Sequence, residues 1–179
     1  SRNVDELIFL DIGARRDNRP INLNVVKDIF KECYMPLTVG GKIETLNDVR
    51  KLLLIGADKV TLNTAAVSHP ALIKNIANSY GSQSLVISID AKKISANMYQ
   101  VFINGGKTPV DLNPVSWAQQ AESLGAGEIL ITSIDRDGTR KGFDLALCKI
   151  ISQSVNIPVI AAGGAGKPQD YISLIKKTN

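Results

Sequence analysis

At 179 residues, 44% of them hydrophobic, the chain carries enough apolar material for a sizeable core and reads as a single domain over residues 1–179, not as disordered or low-complexity sequence. No apolar run approaches the ~20 residues of a membrane span, and the opening Ser1-Arg2-Asn3-Val4-Asp5-Glu6 has no basic-then-apolar leader pattern, so a cytoplasmic protein without membrane contact is expected. The net charge of +4 is modest, and its Lys and Arg are scattered without aromatic interleaving, which argues against a nucleic-acid surface and leaves anionic small molecules as the expected partner.

The first predicted strand, Glu6–Ile12 (ELIFLDI), ends in Asp11; a polar loop Gly13–Pro20 follows, and then Leu23, Val26, Ile29, Phe30 and Cys33 recur at helical spacing. Met35–Val39 is the next strand, closed by Gly40-Gly41. Thr45 with Asp48 has the form of a capping box opening a helix that Gly56 stops. A short strand Asp58–Leu62 leads through Asn63-Thr64-Ala65-Ala66 to a helix bearing Leu72, Ile73, Ile76 and Tyr80, with Gly81 as its end. His69, in Ser68-His69-Pro70, belongs to the entry of that helix or to the surface.

Ser84–Lys92 (SLVISIDAK) is the central strand: an apolar, β-branched run of the kind that fills a buried parallel sheet, ending abruptly in the carboxylate of Asp90. Met98–Ile103 with Asn104-Gly105-Gly106 predicts a small β-excursion before the helix Pro114–Leu124. Glu128–Ser133 is a strand running into Asp135-Arg136-Asp137-Gly138, and its helix carries Leu145, Ile150 and Ile151. The last strand, Ile157–Ala161, ends in Gly163-Gly164-Ala165-Gly166, with a helix from Pro168 or Gln169. Neither Cys33 nor Cys148 has the CxxC spacing of a metal site, and both read as ordinary buried thiols on helix faces.

Six βα units in unbroken alternation predict a parallel sheet with right-handed crossovers. The units also repeat at a longer period: Glu6-Leu7-Ile8-Phe9-Leu10 is echoed by Glu128-Ile129-Leu130-Ile131-Thr132, and Pro36-Leu37-Thr38-Val39-Gly40-Gly41 by Pro158 through Gly164. A twofold repeat of this kind fits an α/β fold of the (β/α)8 TIM-barrel type made of half-barrels, present here as about six units lacking the first and last of the usual ~250 residues.

In such folds ligands collect at the carboxyl ends of the strands, where Asp90 is the first candidate for general acid–base chemistry. Gly40-Gly41, Asn63-Thr64, Asp137-Gly138 and Gly163-Gly164 all fall between a strand and the helix after it, where backbone N–H groups and a helix N-terminus favour an anion such as phosphate. The alternative is that these residues only make tight turns; Asp11 and Asp135 are likewise either site residues or turn formers. The role of Lys92 is open.

The segments VGGKIETLNDVRKLLLIGADKVTLNTAAV, GSQSLVISIDAKK and GAGEILITSIDRDGTRKGFDL resemble the cyclase subunit of imidazole glycerol phosphate synthase, a (β/α)8 barrel of histidine biosynthesis. The resemblance covers essentially the whole chain. It implies a lyase that takes ammonia from a glutaminase subunit, as a heterodimer with that partner, and converts a phosphoribulosyl formimino carboxamide ribonucleotide to imidazole glycerol phosphate and an aminoimidazole ribonucleotide, with no cofactor and no metal. It implies that Asp90 is one of two catalytic aspartates, the other belonging to a first strand outside this sequence, so that these residues alone are expected to be inactive. Two phosphate-binding regions match Gly40-Gly41 with Asn63-Thr64, and Asp137-Gly138 with Gly163-Gly164. A charged gate admitting ammonia at the opposite end of the barrel matches Glu6, Lys59 and Glu128, which by spacing alone are equally plausible as surface ion pairs. Two features depart from the family: Lys42 stands in its glycine triplet and Ala162 where a serine is common. The loop Gly13–Pro20 is closer to cyclase paralogues that amidate a surface-polysaccharide sugar. An inactive scaffold for a glutaminase is the third reading.

Overall fold

A computed structural model describes residues 5–96 and 98–178; residues 1–4, read above for a leader pattern, lie outside the described residues. The elements in chain order are β1 (Leu7–Leu10), α1 (Ile12–Arg16), α2 (Leu23–Glu32), β2 (Leu37–Gly40), α3 (Leu46–Ile55), β3 (Lys59–Leu62), α4 (Thr64–Ser68) and α5 (Ala71–Tyr80). There follow β4 (Leu85–Ser95), β5 (Met98–Ile103), β6 (Thr108–Pro109), α6 (Pro114–Ser123), β7 (Glu128–Ser133), α7 (Leu145–Ser152), β8 (Val159–Ala162) and α8 (Pro168–Thr178). Strands β1, β2, β3, β4, β7 and β8 pair in parallel in that order, and β5 with β6 forms an antiparallel excursion on β4. The architecture is a curled parallel sheet of βα units, a partial TIM barrel. Among the described strands β1 pairs only with β2 and β8 only with β7.

Side-chain alternation along the strands decides which residues reach the site. Leu85, Ile87, Ile89 and Ala91 of β4 join Leu37, Val39, Val60, Leu62, Ile129 and Ile131 in a core under the helices, with Leu52, Ile73, Ile76, Trp117 and Leu147 packed against them. The other set points inward: Thr61 lies opposite Val86, Val86 opposite Glu128, Ser88 opposite Leu130, and Asp90 opposite Thr132. A period of two therefore separates hydrocarbon from chemistry on the same strand.

The local signals perform as read. Thr45 and Asp48 close a capping box on α3, with Thr45 N–H donating to Asp48 Oδ2 at 3.0 Å and Asp48 N–H to Thr45 Oγ1 at 3.2 Å. Gly56 ends that helix in the left-handed region at φ 118°, a conformation that glycine adopts without a Cβ penalty.

Three expectations are corrected. The central strand does not end at Asp90 but runs on to Ser95. Pairing with β3 stops at Leu62–Ile87, and β5 takes over the vacated edge from Phe102–Asp90 onward, so the ladder continues although Lys92–Ser95 are exposed and lack the apolar signal. Second, the polar loop Gly13–Pro20 begins in a helix, α1, capped by the Asp11 carboxylate on Ala14 N–H at 3.0 Å. Third, Asn63-Thr64-Ala65-Ala66 opens a short helix of its own, α4.

Candidate active site

The inward residues at the carboxyl ends of the strands converge on one cavity of ≈ 470 Å³, lined by Asp11, Gly41, Thr61, Asn63, Thr64, Ser88, Asp90, Thr132 and Asp137, with Gly105 and Gly106 at the tip of the excursion. Asp90 sits where β3 leaves β4 and β5 joins it, in register with Thr132 on the other edge. The fork between departing and arriving strands is what opens space in front of this carboxylate. Burial pushes the Asp90 carboxyl up to about 6, against the Asn63 and Thr132 side chains, which favour its charged form, and with help from the nearby negative charge of Asp137. A carboxyl in that range is better matched to exchanging a proton with substrate near neutral pH than one near its ordinary value.

Asp11, the other strand-end acid on this wall, is held differently. Arg19 donates to it through Nη1 at 2.8 Å and Nη2 at 2.9 Å, and that interaction keeps its carboxyl below the usual range despite partial burial. It acts as a helix cap and ion-pair partner. Asp135 is also structural, accepting from Lys93 N–H at 2.8 Å. Lys92 is exposed and does not line the cavity.

Of the turns singled out for anions, Gly41, Asn63, Thr64 and Asp137 reach the cavity, whereas Gly40, Gly138, Gly163 and Gly164 do not line it. Gly164, at φ 100°, lets β8's turn pass against the Gly142 carbonyl, where a Cβ would collide, and Gly142 N–H donates to Gly164 O at 2.8 Å. Three of the helix ends behind these turns are already occupied by acids of the chain itself: Asp48 at α3, Asp144 at α7, and Asp170, which accepts from Gly166 and Lys167 N–H at 2.8 and 3.0 Å, at α8; α4, behind Asn63, has no side-chain cap.

The loop that carries Asp137 is anchored at both ends. Ile134 N–H donates to Ala91 O at 2.9 Å, and the Tyr99 hydroxyl on β5 donates to Asp144 at 3.0 Å. Burial and then the Asp144 carboxylate push the Tyr99 phenol up to about 12, so it remains a donor. Nothing in the local pattern announces this contact, because Tyr99 and Asp144 lie on separate units; Thr132 and Ser88, by contrast, share the inward alternation of Asp90 and are legible from the strand period.

At the opposite, amino end of the strands, Lys59 Nζ lies 2.6 Å from Glu128 Oε1 and 3.0 Å from Glu6 Oε2. The three strand starts thus meet in one cluster. Burial works against the ammonium, but the hydrogen bonds it donates to Glu128 and Glu6 outweigh that and raise the Lys59 pKa. Cys148 is buried and its thiol is pushed up to about 11 by that burial, and Cys33 lies half-buried at the end of α2. Both are passive. His69 is exposed, and among the described residues no group of His, Cys, Asp and Glu is arranged to hold a metal ion. No helix of the described residues is long and apolar enough to cross a membrane.

The sequence matches the family described as "Histidine biosynthesis protein" over residues 1–179. It is 49% identical over 177 residues to the imidazole glycerol phosphate synthase subunit HisF of Hydrogenobaculum sp. (strain Y04AAS1), covering 99% of this chain and 70% of that protein. It is 52% identical over 173 residues to the subunit of the same name from Sulfolobus acidocaldarius, covering 97% and 69%. It is 48% identical over 176 residues to that from Pyrococcus furiosus, covering 98% and 70%.

Proposed function

Because the chain belongs to the histidine biosynthesis protein family, we propose how its two barrel ends serve the cyclase reaction of imidazole glycerol phosphate synthase, the enzyme of which its near-50% identical relatives are subunits. Its role is that of the HisF cyclase in histidine biosynthesis. The mouth holds the phosphorylated substrate, Asp90 moves protons during ring closure, and the Glu6–Lys59–Glu128 cluster governs entry of ammonia from a glutaminase subunit docked on the opposite face.

One observation carries this reading: a carboxyl raised to about 6 stands inside a strand-end cavity beside the neutral hydrogen-bonding side chains of Asn63, Thr64, Ser88 and Thr132. Such a group takes a proton from a nitrogen or carbon centre and returns it, while the neutral donors hold sugar hydroxyls and phosphate oxygens without fixing either charge. Gly41, Asn63 and Thr64 serve the phosphate at one side of the mouth, and the turn that carries Asp137 borders the other.

Expression of the full-length gene in a histidine auxotroph lacking its own cyclase tests the reading. Growth without histidine is the expected result, and an Asp90→Asn copy is expected to give none. Failure of the parent gene despite folded protein contradicts the histidine reading and favours the sugar-amidating paralogue.

A further inference from the structure

The wall of the mouth between the first two strands holds a cation in an unfavourable backbone conformation. Lys42 follows Gly41 with φ at 44°, a left-handed value seldom kept by a residue with a Cβ, and its ammonium meets Asn18 Oδ1 at 2.7 Å. Asn18 is itself left-handed, at φ 49°. Two left-handed residues, on loops far apart in sequence, therefore meet side chain to side chain beside the cavity. Strain of this kind persists where the surrounding structure has a use for it.

The charges around Lys42 narrow that use. Asp11 is neutralised by Arg19, and Glu44 by Arg15 at 2.8 Å. Lys42 alone among the cations lining the cavity has a neutral partner, and it makes no ion pair among the described residues. The usual anion-binding device behind such a turn is already spent, because Asp48 Oδ2 accepts from Glu44 N–H at 3.3 Å and from Thr45 N–H at 3.0 Å at the start of α3. An anion arriving at Gly41 finds these helix-end donors filled by a carboxylate and the Lys42 ammonium free to turn from Asn18.

We propose that Lys42 determines substrate specificity at this side of the mouth, its ammonium leaving Asn18 to take a phosphomonoester that the Gly41 turn lets approach. The proposal rests on the cyclase reading for the identity of the substrate but not for the binding of phosphate. Asn18 holds the ammonium at the cavity's edge until the anion arrives. A charge-assisted hydrogen bond to phosphate replaces a neutral one, so the gain is specific to the anionic ligand.

The test compares Lys42→Asn, Lys42→Gly and Lys42→Arg with the parent protein, titrating inorganic phosphate by NMR and measuring ammonia-driven turnover of the phosphoribulosyl formimino substrate. Asn tolerates the left-handed backbone and removes the charge; it is expected to weaken phosphate binding by about tenfold or more, with the loss in turnover falling on KM rather than on kcat. Lys42→Gly is expected to weaken phosphate equally while raising Tm, because it relieves the strained φ. Lys42→Arg is expected to retain most of the affinity. A purely structural Lys42 would tie stability and affinity together, and a Gly variant that gains Tm with phosphate affinity intact overturns the proposal. So does equal phosphate affinity in the parent and Lys42→Asn. Phosphate binding that depends on Lys42, in a protein that does not turn over the histidine-pathway substrate, supports the cation and overturns the substrate reading instead.

Discussion

Asp90→Asn is expected to lower ammonia-driven turnover by ~10²–10⁴-fold, the usual range for removing a general acid–base group, while making the protein more stable at neutral pH. The two effects share one cause. In the folded protein burial raises the Asp90 carboxyl from 3.8 to about 6, so the native state binds its proton more tightly than the unfolded chain does. Stability contributed by this residue is therefore greatest below about pH 4 and falls as pH rises through 6, by up to about 3 kcal/mol. An amide carries no such charge, so the variant recovers that stability above pH 6 and differs little from the parent at pH 4, where Asp90 is protonated. Turnover within about tenfold of the parent would remove Asp90 from its role.

The second large effect is expected at the other end of the barrel. Lys59→Met leaves Glu128 without its cation; Glu128 Oε2 already has no partner among the described residues, and the two side chains are only 15% and 17% exposed. Stranding a largely buried carboxylate costs about 3 kcal/mol, which for a chain of this size lowers Tm by about 6–12 °C. Measured with the glutaminase subunit present, the larger share of lost turnover is expected when glutamine supplies the nitrogen and the smaller share when ammonium salt does. A variant that loses Tm but treats the two nitrogen sources alike reduces the cluster to an ordinary ion pair. Glu6, the more exposed partner at 42%, is expected to matter less than Glu128.

These expectations draw unequally on what the sequence discloses. Helix ends are local, so the Thr45–Asp48 box and the Gly56 stop are readable from a few residues, and the inward face of β4 follows from a period of two. The parallel pairing of the strands follows once βα units are recognised, whereas registers such as Ile8–Thr38 and Val39–Val60 come from the structure. The continuation of β4 beyond Asp90 was not readable, because exposed Lys92–Ser95 carry no apolar pattern and their ladder is supplied by β5. For the same reason the fork that opens the cavity is invisible in one dimension. Helix α1 escaped notice in a run of Arg, Asp and Asn that looks like loop, although its cap, Asp11, stood in view. Meeting of Glu6, Lys59 and Glu128 was suggested by family likeness alone; spacing could not distinguish it from three separate surface charges. The contacts of Lys42 with Asn18 and of Tyr99 with Asp144 join distant units, and no pattern within either unit announces them.

The account stands or falls on Asp90 as the group that moves protons at the mouth. The most direct measurement follows the Asp90 side-chain carboxyl by NMR across the pH range and sets it beside the pH profile of kcat/KM for ammonia-driven turnover at constant free ammonia. The carboxyl is expected to titrate near pH 6 and the profile to have a limb at the same pH, absent from Asp90→Asn. A carboxyl that titrates near 4, like an ordinary exposed aspartate, or a limb that persists unchanged in the variant, would contradict it.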